Sequence, residues 1–290
     1  MTARVSFGER LRRVGLALVW IALFTAVGSV ASFVLVRLMP VAEASRWSLA
    51  RNGAGLALGF GFATWLVGVR FARLSWDDLG WHTGGAEGLV GRIARGVVLG
   101  VVMAATAIGL AFVGSRAVVR VAPEWPRYLA HIGPVVAALV GAALLEELLF
   151  RGFPLRRLAN ALGPWTATAV LAAGFALVHL WNPNAGLFGT INIALAAVWL
   201  SAAFFSPGGM GLAWGLHFGW NAGLAVLFDA PVSGQRFVLP AVEYQPGRHP
   251  WVDGGTFGPE GGLVATLVFV AGTLAVIGAR WRQPQRWLLG

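Results

Sequence analysis

The sequence predicts an all-α fold, a polytopic membrane helix bundle of about eight transmembrane helices around a polar intramembrane cavity. Three observations predict it. Hydrophobic residues make up 57% of the 290 positions and mean hydropathy is +0.72, whereas charged residues are only 12%, about half of the roughly 25% usual in soluble domains. Eight apolar stretches approach the length of about 20 residues that a hydrocarbon layer about 30 Å thick requires. Several of these stretches carry ionisable or amide side chains, which lipid tolerates only where they face protein or water. Length therefore counts helices here and not soluble domains. We expect one membrane domain, 1–290, with its functional core at 141–223.

The eight stretches run over 14–36, 52–69, 93–115, 133–150, 165–181, 186–204, 210–228 and 262–279. The first follows Arg10, Arg12 and Arg13 and is too long for the apolar region of a signal peptide, so it reads as a retained anchor. The sixth begins beside Asn182, Pro183 and Asn184, a polar break. With the N-terminus inside, the inner segments hold 14 of the 22 arginines, and Arg280, Arg282 and Arg286 fall on the same side. The positive-inside rule then gives N-in and C-in with an even number of spans. Segment 70–81, RFARLSWDDLGW, is expected along the inner interface. Segment 229–261, rich in Pro, Gly and single charges, reads as an irregular outer loop. Many of the 14 tryptophans sit near span ends, as aromatic belts do.

Composition also excludes. With no cysteine, disulfides, thiolate catalysis and Cys-type zinc sites are absent. The net charge of +10 is all arginine, spread over loops. That pattern suits topology and lipid-headgroup contacts, with membrane lipids as partners, and not a nucleic-acid interface.

The chemistry lies in three stretches. In GAALLEELLFRGF (141–153), Glu147 and Arg151 are four apart on one helix face and can pair. Glu146 is turned about 100° away, and its own i+4 neighbour is Phe150. A carboxylate so placed can act as a general base or a metal ligand; two such glutamates can equally form a buried ionic lock between helices. In FALVH (175–179), His179 follows Phe175 by one turn; a lone histidine there can also serve helix packing. In GLAWGLHFGWNAG (211–223), His217 and Asn221 share a face. Gly211, Gly215, Gly219 and Gly223 form a ridge about 200° around the helix, suited to close packing. Two histidines and a glutamate can bind zinc or activate water. Asn and His can donate to an oxyanion. No serine or cysteine nucleophile beside a base is apparent, so the set suits water attack on an amide.

In this order, EELLFR, FALVH and HFGWN resemble the EExxxR, FxxxH and HxxxN motifs of the CAAX prenyl protease and bacteriocin-processing family, which includes the Ras-converting CAAX endopeptidases. The resemblance covers about 81–223, with its motif core at 146–221. It implies an eight-helix membrane bundle and an intramembrane endopeptidase acting near the membrane surface on CAAX-like or other hydrophobic or lipidated peptides. It further implies that Glu146 is the catalytic glutamate, holding the attacking water with His179. Glu147 supports it, and His217 and Asn221 stabilise the oxyanion, with Arg151 and Phe175 in supporting places. A zinc ion on Glu146, His179 and His217 and a metal-free glutamate mechanism both stay open, since asparagine is a poor zinc ligand and HExxH is absent.

Two other readings stand beside this one: a non-catalytic immunity or partner-binding protein of the same fold, and a small transporter using Glu146 as a proton carrier. The predicted topology also sets a geometric test. His179 falls near the outer end of the fifth span and Glu146 toward the inner end of the fourth. Straight spans with these boundaries cannot bring them together. A fourth helix continued through PLRRLAN, or a tilted fifth, would.

Overall fold

Every apolar stretch in the sequence coincides with a helix. A computed structural model describes residues 7–82, 84, 87–121, 124–239 and 242–280. Arg282 and Arg286, used above for orientation, lie outside them. The order is α1 (Phe7–Leu38), α2 (Ser48–Ala63, continued by a π-helical segment Thr64–Phe71), α3 (Gly88–Ser115), β1 (Val118–Val121), α4 (Trp125–Phe150), α5 (Phe153–Leu162) and α6 (Pro164–Val178, ending in the 3-10 turn His179–Trp181). Then come α7 (Leu187–Phe204), α8 (Gly209–Ala222, continued by π-helical Gly223–Leu227), β2 (Val242–Gln245), α9 (Pro250–Asp253) and α10 (Leu263–Arg280).

Among the described residues, six helical stretches are long and apolar enough to cross a membrane: Gly8–Leu38, Ser48–Phe71, Gly88–Ser115, Trp125–Leu162, Pro164–Trp181 and Leu187–Phe204. The apolar part of α10 and the α8 segment are shorter. The chain is thus a multi-pass membrane helix bundle, with large apolar side chains such as Val19, Phe33, Val90, Val113 and Leu274 exposed on its outside. In a bilayer that exposure is the favourable contact, not a cost. The inner layer is α7 and α8, where Ile193, Trp199, Leu200, Leu216 and Trp220 are buried. Trp199 and Trp220 therefore serve the core and not an interfacial belt.

The glycine ridge makes a close helix contact. It faces α3: a side-chain carbon at Gly215 would strike the Ile93 carbonyl, and one at Gly219 the Val97 carbonyl. Small residues let the two backbones touch, as lipid-embedded packing requires. The opposite face of α8 is thereby turned toward α4, where Trp214 Nε1 donates to the Val140 carbonyl at 3.3 Å.

The chain between α4 and α6 resolves the depth problem. Helix α4 stops at Phe150, Arg151 and Gly152 interrupt it, and α5 resumes with Pro154 in its first turn. Helices α5 and α6 pack side by side across the Gly163 turn. Glu146 and His179 do meet, with Oε2 and Nε2 4.0 Å apart; α5 lies between them in the chain and packs against α6.

Segment 229–261 departs from the irregular loop expected. Strand β2 pairs antiparallel with β1, Val118 opposite Gln245 and Val121 opposite Val242. Buried carboxylates tie the rest. Asp253 accepts from Ser115 Oγ at 2.6 Å and from the Gly247 and Gly255 amides at 2.5 and 2.9 Å. Asp229 accepts from the Leu239 amide at 2.9 Å. Backbone amides that no ladder uses must find acceptors when buried, and acidic side chains supply them here.

Substituting Gly215→Val should cost about 1–3 kcal/mol or more through overpacking against α3. Thermal unfolding in detergent measures it, and an unchanged midpoint would refute the close α3–α8 contact.

Candidate active site

Glu147, on α4, is fully buried. A carboxylate there needs partners, and it has two: Arg151 Nη1 donates to Oε1 at 3.2 Å, one helical turn on, and His217 Nδ1 lies 2.8 Å from the same oxygen. The expected Glu147–Arg151 pair therefore forms, and α8 joins it. The Arg151 guanidinium lies 4.5 Å over the Phe175 ring, a cation–π contact. Phe175 also packs edge-on against Phe150 at 5.1 Å, and lies 4.5 Å from the His179 ring and 6.3 Å from His217. Neither Glu147 nor Arg151 is among the residues that line the cavity described below, and Arg151 is the carboxylate's partner.

These contacts fix both imidazoles. An ionised carboxylate only accepts, so His217 donates from Nδ1 to Glu147 and presents Nε2 to Glu146 Oε2 at 3.5 Å. A backbone carbonyl likewise only accepts, so His179 donates from Nδ1 to the Phe175 carbonyl at 2.7 Å and presents Nε2 to the same Oε2 at 4.0 Å. Both rings are aimed at one carboxylate oxygen. The separations are too long for good direct hydrogen bonds. The helix end makes this possible for His179: α6 gives way there to a 3-10 turn, and the backbone N–H of His179 caps the Ala176 and Leu177 carbonyls while its ring donates to that of Phe175.

Glu146, His179, His217, Asn221 and Phe175 line a cavity of about 210 Å³. The Asn221 side chain is nearly buried, one turn beyond His217, and makes no hydrogen bond among the described residues. Leu139, Ile193, Trp199, Leu200 and Phe269 form apolar walls. The structure thus brings together Glu146, His179, His217 and Asn221 around the cavity, with Glu147, Arg151 and Phe175 behind them. Among the described residues, no group of three His, Asp or Glu side chains is arranged to hold a metal ion, the set Glu146, His179 and His217 included. Sequence reasoning missed other residues of the lining, Asn182, Trp220, Val232, Ser233, Gln235, Phe237 and Glu260. Asn182 had been noted only as a helix breaker. The signal for Glu260 was a lone carboxylate close to the start of an apolar helix.

Fold and site define a polytopic membrane protein with a buried carboxylate–imidazole centre. Residues 128–223, which hold all three motifs, match the family model of the Rce1-like type II CAAX prenyl endopeptidases. This bears out the resemblance to the CAAX prenyl protease and bacteriocin-processing family over that segment. The family is one of proteases, and the match supports endopeptidase activity. No curated protein and no solved structure matches the chain.

Glu147→Ala should destabilise the protein by about 3–5 kcal/mol, because it strands the Arg151 charge. Adding Arg151→Met should recover much of that loss. Thermal unfolding of the single and double variants checks it; equal midpoints for the two would mean that the pair is not coupled.

Proposed function

We propose that the chain is an intramembrane endopeptidase that hydrolyses a peptide bond near the membrane surface with a water activated by Glu146. The observation that carries this reading is the convergence of His179 Nε2 and His217 Nε2 on Glu146 Oε2 beside the spare amide of Asn221. A water between Glu146 and His179 gives its proton to Glu146 as its oxygen attacks the carbonyl carbon. The carbonyl oxygen becomes an oxyanion facing Asn221 Nδ2 and His217. As an imidazolium flanked by Glu146 and Glu147, His217 has a second N–H, at Nε2, to donate. When the C–N bond breaks, the proton on Glu146 passes to the leaving amine. Glu147 holds His217 in register and touches no reacting atom. No metal is needed in this sequence of steps.

The apolar walls favour a hydrophobic peptide segment. The family match adds CAAX-like lipidated peptides as the substrate class to try first. The arginine asymmetry supports an N-in, C-in orientation. Because the chain lacks cysteine, single cysteines placed at Thr2 and Arg248 would report it: the first should react only from inside and the second only from outside.

The test is cleavage of a panel of membrane peptides, prenylated and not, by purified protein. Glu146→Gln should abolish cleavage and leave the thermal midpoint unchanged. Asn221→Ala should lower kcat by about 10²–10³-fold, the usual cost of one oxyanion donor. A chelator should change neither rate. Full activity in Glu146→Gln would remove the mechanism. Loss of activity on chelation would restore zinc, and failure of the wild type across the panel would favour a non-catalytic membrane protein of this fold.

A further inference from the structure

Outside the family-matched segment, one buried titratable group lines the same cavity. Glu260 follows the 229–258 part of the loop and precedes α10; it is 4% exposed, and no arginine or histidine among the described residues pairs with it. Its carboxylate is spent on neutral donors. Oε1 accepts from Trp220 Nε1 at 2.9 Å, and Oε2 accepts from Ser233 Oγ at 2.9 Å and from the Ser233 amide. Trp220 adjoins Asn221. Ser233 stands at the tip of a tight turn in which Val232 and Gln235 exchange both backbone hydrogen bonds, at 2.9 and 2.8 Å. Both central residues are left-handed, Ser233 at φ 46° and Gly234 at φ 84°. Gly234 suits that conformation; Ser233 is strained in it and is held there from outside.

A second clamp holds the same turn. Asn182 Nδ2, three residues beyond His179, donates to the Ser233 carbonyl at 2.9 Å. The turn is therefore fastened on one side to the helix that carries His217 and Asn221, and on the other to the segment that follows His179. Between the two clamps Val232, Ser233 and Gln235 form part of the cavity wall.

The geometry points to Glu260 as a positioning residue that latches the Val232–Gln235 turn over the catalytic cavity, with Asn182 as the second clamp. The latch fixes the space open to a substrate and shields the histidines from bulk water. It touches no reacting atom, so its loss should raise KM and leave kcat nearly intact. This rests on the endopeptidase reading for the kinetic effect, and on geometry alone for the shielding.

The test is therefore made twice on the purified full chain, for wild type, Glu260→Gln and Asn182→Ala, each checked for an intact thermal transition. First, histidines are carbethoxylated with diethyl pyrocarbonate and read by mass spectrometry. Labelling of His179 should be about tenfold faster in both variants, the scale of losing one or two hydrogen bonds that hold a closed state. His82, outside the cavity, should not change. Second, KM for a cleaved membrane peptide should rise about tenfold with little change in kcat. Should Glu260→Gln fail to fold, Asn182→Ala carries both measurements alone. Unchanged labelling in a folded variant would overturn the latch whether or not the protein cleaves anything. Faster labelling by a protein that cleaves nothing would keep the latch and sink the endopeptidase reading. A fall in thermal midpoint with unchanged labelling and unchanged KM would reduce Glu260 to a loop-folding residue.

Discussion

The site depends on one fully buried oxygen. Glu147 Oε1 is shared by Arg151 from its own helix and His217 from α8. Taking a carboxylate out of water costs several kcal/mol, and only close, well-directed partners repay it. The two partners lie on different elements, so satisfying the charge also fixes α4 against α8 and orients the His217 ring. Adjacent residues on a helix point about 100° apart. With Glu147 committed to the lock, Glu146 is turned into the cavity. The ionic lock and the general base were rival readings of the glutamate pair; the structure gives the lock to Glu147, and our proposed mechanism gives the base to Glu146.

The lock closes only because α8 arrives with the correct face. Its glycines lie so close to Ile93 and Val97 of α3 that no side chain fits between. That contact uses one side of the helix completely, and the opposite side, with His217 and Asn221, is presented to α4. The division into a packing face and a polar face was legible from spacing alone, since four-residue repeats of glycine and of polar groups were offset by half a turn. The helices were legible for the same reason. Each predicted stretch meets a helix, and the sixth, 186–204, differs from α7 by one residue at its start. Polar residues in apolar helices are costly, so they stand out, and three motifs could be found one residue at a time.

Depth along the membrane and the loop were not legible. A helix break at Arg151–Gly152 followed by a further helical arm is invisible to hydropathy, because α5 is amphipathic. Treating the fourth span as ending at residue 150 made Glu146 and His179 miss each other. The loop failed for a different reason. Gly, Pro and isolated acids are the composition of an exposed loop, and the same residues build a folded cap once Asp229, Asp253 and Glu260 turn inward to accept backbone amides. Whether an acid in such a segment meets water or an amide is decided by tertiary contacts that no local pattern records.

Hydrolysis within a membrane asks for two incompatible things, a water supply and a dry, ordered place to use it. A site open to bulk water would weaken every charge interaction within it, since effective dielectric rises with solvation. A sealed one could admit no peptide. The architecture divides these demands between two parts of one cavity wall. Around Glu146, His179, His217 and Asn221 the wall is built by helices, with His217 held by the lock and His179 by a helix end. Another part of the wall is a four-residue turn, with two residues in a left-handed conformation and side-chain clamps on both sides. A small closure held by a few hydrogen bonds opens at far lower cost than helices held by close packing. On the proposed latch, a path for substrate or water that leaves the proposed catalytic groups in place runs past the turn.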